Sequence, residues 1–164
     1  MLQVSPSSPF HVEKRKLEAT LSLTTGQTVR GYFFLGDSSV IHEGPERVDD
    51  LLNHASGFFP FERLDGGFPR VVLYNTAHVC TVSLLVPAAR EVPGYEVAPV
   101  RRVSLLLSTG HQVSGQIRVY LPHGSERVSD WARDAVTFRF IETAGATLLV
   151  NIHHVAEIIE LESK

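Results

Sequence analysis

Eight histidines in 164 residues are the first feature of this chain that could do chemistry. Neutral imidazole ligates zinc, so His42, His54, His78, His111, His123, His153 and His154 are the candidate ligands of a metal-dependent hydrolase, with His78 and His154 as its best pair. None stands in a His-x-x-x-His spacing, and a single cysteine excludes Cys-x-x-Cys. The carboxylates Glu46 and Asp50 are spaced i, i+4, with Arg47 between them; Glu126, Arg127 and Asp130 repeat the arrangement. On a helix this spacing makes a salt-bridged first turn, a better reading than a general acid–base pair. Neither a Gly-x-Ser-x-Gly elbow nor a phosphate-cradling Gly-x-x-x-x-Gly-Lys loop occurs. These absences assign no catalytic, metal or cofactor-binding residue, and the expectation is a protein that is not an enzyme and uses no cofactor.

The elements around His78 and His154 explain them better than a metal does. Val72-Leu73-Tyr74-Asn75-Thr76-Ala77-His78-Val79 with Val82 is answered, 76 positions on, by Leu148-Leu149-Val150-Asn151-Ile152-His153-His154-Val155 with Ile158. Two earlier landmarks repeat in the same order. Leu21-Ser-Leu-Thr-Thr-Gly-Gln-Thr-Val-Arg-Gly31 matches Leu105-Leu-Leu-Ser-Thr-Gly-His-Gln-Val-Ser-Gly115 at an offset of 84, and Gly44–Asp50 matches Gly124–Asp130 at 80. The chain is a tandem duplication of one module, with small insertions in the first copy. A matched Asn-x-x-His in both copies fits a turn fixed by asparagine's local backbone bonds and an imidazole bonded to a neighbour.

Each copy reads as five short strands. Leu17, Ala19, Leu21 and Leu23 alternate with Glu18, Thr20, Ser22 and Thr24, the period of a half-buried strand. Thr25-Gly26 turns the chain, and Val29, Gly31 and Phe33 return; in copy two Val103, Leu105 and Leu107 lead through Thr109-Gly110 to Val113, Gly115 and Ile117. Glycine inside the second strand implies a sharp bend. Gly44-Pro45 suits a helix start, with Val48, Leu51 and Leu52 on one face, and Val128, Trp131, Ala132 and Ala135 in copy two. The third strands follow at Phe58–Phe61 and Val136–Phe140, the fourth at Val71–Tyr74 and Thr147–Val150, and the fifth at Val79–Val86 and Val155–Leu161. Residues 1–13 read as a flexible tail, 14–86 as repeat 1, 87–99 as a linker marked by Pro87, Pro93, Gly94 and Pro99, and 100–164 as repeat 2.

The rhythm of strand, Thr-Gly turn, glycine-bearing strand and Asn-x-x-His-Val before a last apolar strand resembles Sm-like and SH3-like small barrels. The stretch Arg47-Val-Asp-Asp50-Leu-Leu52-Asn53, with Arg127-Val-Ser129-Asp130 in copy two, is also similar to a family of small bacterial proteins with an Arg-x-Ser-Asp-x-Leu-Asn signature. The resemblance implies a mainly β fold: two tandem five-stranded barrels, each with a short helix between strands two and three, packed as a pseudo-dimer. It implies no activity. Sm proteins keep an RNA-contacting loop where this chain has its helix.

Function then rests on surfaces. Fifteen basic against eighteen acidic residues give a net charge of −3, which disfavours a general nucleic-acid or anionic-membrane surface. Phe33, Phe34, Phe58, Phe59 and Phe61 crowd copy one and are the candidate protein-binding residues, through a partner or self-association. The alternative is an Sm-like RNA surface using Arg101, Arg102, Arg118, Arg133 and Arg139 of copy two. One cysteine, no apolar run of spanning length and no leader-like N-terminus point to a cytoplasmic protein. The expected function is a non-catalytic adaptor or assembly subunit.

Overall fold

The computed structural model describes residues 14–85, 92–119 and 127–162. The predicted N-terminal tail, the first part of the linker and His123 lie outside the described residues. The fold is mainly β. In chain order the strands are β1 (Lys14–Leu23), β2 (Thr28–Gly36), β3 (Phe58–Arg63), β4 (Arg70–Asn75) and β5 (Val79–Leu84) in copy one. Copy two contributes β6 (Val100–Leu107), β7 (Gln112–Arg118), β8 (Phe138–Glu142), β9 (Thr147–Asn151) and β10 (Val155–Leu161). Helix α1 (Val48–His54) lies between β2 and β3, and α2 (Val128–Arg133) between β7 and β8.

All ten strands form one antiparallel sheet in the order β10-β6-β7-β8-β9-β5-β1-β2-β3-β4. Within each half the order is the same, last strand, first, second, third, fourth. The two halves join because β5 pairs with β9, Val82 opposite Leu149 and Thr81 opposite Val150. That junction corrects the expected pseudo-dimer. A two-fold pair would set equivalent strands against each other, whereas here the fifth strand of copy one meets the fourth strand of copy two. The contact is heterologous, head to tail.

Gly31 and Gly115 sit where the backbone of the third strand presses on the second. A Cβ on either would collide with a backbone carbonyl oxygen, that of Glu62 or Glu142, so only glycine lets the third strand cross this closely. The last strands carry matched irregularities, the pairing slipping by one residue at Cys80 against Ser22–Leu23 and at Ala156 against Leu106–Leu107.

The core has two parts. Leu21, Phe33, Phe59, Phe61, Val79 and Val82 fill copy one, and Phe138 and Leu149 of copy two join that same cluster. Phe33 stacks on Phe59 at 5.5 Å and meets Phe61 edge-on at 5.1 Å. Val103, Leu105, Ile117, Trp131 and Ile141 fill copy two. Three sequence expectations change. The helix starts at Val48 and not at Gly44, because Glu46 turns back to accept from the Gly36 N–H at 2.7 Å, and Asp50 instead caps the helix by accepting from the Arg47 N–H at 2.9 Å. Glu46 and Asp50 therefore do not share a helix face. The latter part of the linker is packed: Tyr95 is buried against Phe140, and Arg118 lies over its ring while donating to the carbonyls of Glu96 and Ala98.

Candidate functional site

The junction between the copies shows what a module's edge does when it is occupied. Asn151 accepts from the His153 N–H through Oδ1, fixing its own turn, and its Nδ2 crosses to copy one, donating to the carbonyls of Val79 at 3.0 Å and Thr76 at 3.3 Å. His154 Nε2 donates to the carbonyl of Ala77 at 2.6 Å, since a carbonyl only accepts, and its Nδ1 meets the Ser108 hydroxyl at 3.2 Å. Asn53 on α1 makes a two-way bond with the Phe138 backbone, its amide donating to the carbonyl at 3.1 Å and its Oδ1 accepting the N–H at 2.7 Å. Beneath these bonds Leu149 and Phe138, 0% and 2% exposed, close the core of copy one.

The corresponding surface of copy one is open. β4 ends the sheet, and Leu73 and Phe58, the counterparts of Leu149 and Phe138, are 64% and 59% exposed. Val71 beside them is exposed as well. Asn75 keeps the local half of its role, accepting from the Ala77 N–H at 3.0 Å, and His78 meets Thr24 Oγ1 at 3.1 Å as His154 meets Ser108. The outward bonds of Asn151 and His154 have no counterpart at Asn75 and His78 among the described residues.

At the other end β10 is open in the complementary way. Val79 and Val82 of β5 are fully buried, whereas Val155 and Ile158 of β10 are only partly covered and Ile159 is exposed. Thr81 and Leu84 are buried on β5; the matched Glu157 and Glu160 are exposed. Among the described residues the sheet thus has one junction between the copies, β5 with β9, and two edge strands, β4 and β10.

The residues singled out by sequence divide accordingly. Phe33, Phe59 and Phe61 belong to the core of copy one, because alternation along β2 and β3 turns them inward, and they are not available to a partner. Phe58 is exposed, and Phe34 is half-buried with Lys16 Nζ 5.9 Å from its ring centre. Leu73 and Val71 complete the exposed surface. Among the arginines, Arg118 is engaged with Tyr95 and two carbonyls, and Arg139 is buried over Trp131, donating to the carbonyls of Val136 and Asp134. Burial lowers the Arg139 pKa. Arg101 sits 3.7 Å from Glu160 while Arg102 and Arg133 are exposed, so the five do not present one free basic surface.

Of the other histidines, His42 is held between the Glu43 carbonyl and the Asp50 carboxylate, His54 bonds the Asp50 carbonyl, and His111 meets Thr109. Among the described residues no three of His, Cys, Asp and Glu converge to hold a metal, and no helix is long and apolar enough to cross a membrane. Cys80 is buried, which pushes its thiol pKa up. Comparisons with family models, with curated proteins and with solved structures find no match to this chain.

Proposed function

We propose that this chain is a non-catalytic protein-binding adaptor or assembly subunit of the cytoplasm, built from a duplicated small barrel of the Sm-like or SH3-like kind. The repeated strand order within each half and the matched close crossings at Gly31 and Gly115 support two small modules of one design. The observation that carries the functional reading is the edge β4. It exposes Leu73 and Phe58 where the same module positions in copy two are sealed by protein. Free strand edges with apolar side chains recruit a further strand: main-chain hydrogen bonds supply affinity, and pockets for alternate side chains supply selectivity.

The test is affinity capture from the native lysate, using the tagged chain and a Leu73→Lys variant, each with and without nuclease. The reading requires protein captured by the wild type, retained after nuclease and lost in the variant. Captured RNA whose retention falls steeply with salt, unaffected by Leu73→Lys, would replace it with the nucleic-acid alternative.

A further inference from the structure

We infer that the occupant of the β4 edge is β10 of a second copy of this chain, so that chains join head to tail by repeating their own internal junction. This rests on the edge-binding reading above and adds the identity of the partner. The internal junction is a heterologous contact: the fourth strand of one module lies against the fifth strand of the other. A heterologous contact uses two different surfaces and leaves the complementary pair free at the two ends, which the same operation can join. Here the free pair is β4 and β10.

The register follows from the repeat. Shifting each partner of the β5–β9 ladder by the module offset sets Ile158 opposite Leu73, Ile159 opposite Val72, Glu157 opposite Tyr74 and Glu160 opposite Val71. Leu73 and Phe58 of one chain then close the copy-two core of the next, where Val155, Ile158 and Leu161 are only partly covered. Asn75 Nδ2, whose twin donates to Thr76 and Val79, meets the carbonyls of Ile152 and Val155, and His78 Nε2 meets the carbonyl of His153. One junction hydrogen bond changes, and two side chains become charged, Glu157 in place of Thr81 and Glu160 in place of Leu84. Arg133 stands where α1 has Asn53, and a guanidinium can donate to the Phe58 carbonyl but cannot accept its N–H. Glu160 shares the face of Ile158 and stands where Leu84 is buried in the internal junction; Arg101, 3.7 Å away, supplies its counter-charge.

The experiment uses the full chain with Cys80→Ser as background. One preparation carries Leu73→Cys and the other Ile158→Cys; directly opposed cross-strand residues have Cβ atoms about 4.5–5.5 Å apart, near disulfide range. Mixed and oxidised, the two should give a heterodimeric disulfide, and Leu73→Cys with the out-of-register Val155→Cys should give at least about 10-fold less, since the mismatched Cβ atoms lie beyond bonding range. Sedimentation of the unmodified chain should show concentration-dependent oligomers, weakened on the order of 100-fold by Leu73→Lys, the cost of losing one buried leucine and inserting a charge. A wild-type chain that stays monomeric at about 100 μM, where even contacts of micromolar Kd are occupied, overturns the inference. If that monomer still captures a different protein through Leu73, the edge-binding reading survives and only the self-assembly fails; if Leu73→Lys changes neither, both fail.

Discussion

Asn75 and Asn151 share a local role and differ in a tertiary one. Each fixes the turn before its last strand through its side-chain oxygen. Only Asn151 is buried and donates across the junction. Asn151→Ala leaves two carbonyls with poorer partners in a dry site and is expected to cost about 2–3 kcal/mol, whereas Asn75→Ala should cost about 1 kcal/mol or less. Urea denaturation of the two variants measures the difference. The matched asparagines and histidines were legible in sequence as turn residues. Their unequal burial was not, because a repeat specifies which positions are equivalent and not which of them meets a neighbour. His42 lies within repeat 1 but outside its matched stretches. Its bonds to the Glu43 carbonyl and then to the Asp50 carboxylate favour the protonated ring and raise its pKa above 6.5. The stabilisation is therefore complete below the unfolded value, about pH 6.5, and is lost as pH rises through the raised folded value. Relative to wild type, His42→Gln should flatten the melting-temperature profile across that window; an unchanged profile would show that His42 does not clamp the 37–46 loop to α1.

At the scale of elements, ten strands were expected and ten formed, because alternation and Thr-Gly turns are strong local signals. The helix start was misplaced, since Gly44 and Pro45 imitate a cap while the capping carboxylate is Asp50, three residues beyond Arg47. The phenylalanine surface was overread for a related reason. Phe58-Phe59-Pro60-Phe61 looks apolar on both faces; alternation sets Phe58 on the face opposite Phe59 and Phe61, and its place beside the edge strand β4 leaves it exposed. A usable signal was present in the last strands. Glu157 and Glu160 stand where β5 has Thr81 and Leu84, marking β10 as the strand left at the sheet edge within one chain. The close crossings at Gly31 and Gly115 give the sharpest prediction at this scale. Alanine at either drives its Cβ into the Glu62 or Glu142 carbonyl of the crossing strand and pushes that strand away, so each substitution should cost about 3 kcal/mol or more. A loss below about 1 kcal/mol, an ordinary surface effect, would mean that the second strand does not need glycine there.

At the scale of the whole molecule, duplication has done more than double a core. Copy two lends Phe138 and Leu149 to the core of copy one, so the junction is part of the folded interior and not a flexible hinge. It also determines polarity: one chain has a β4 end and a β10 end. Sequence supplied the repeat and the number of strands. It could not supply the direction of the join, because pairing equivalent or non-equivalent strands leaves the pattern inside each module unchanged. The most direct measurement is amide hydrogen exchange on the complex that the chain forms, with itself or with a captured protein, compared with the isolated chain. Exchange at residues 70–75 should slow at least about 10-fold on assembly, the response of edge amides gaining hydrogen-bonded partners, while β5 and β9 stay unchanged. Protection appearing instead around Arg102, Gln116 and Glu142, with β4 and β10 still exchanging freely, would contradict recognition through the edges.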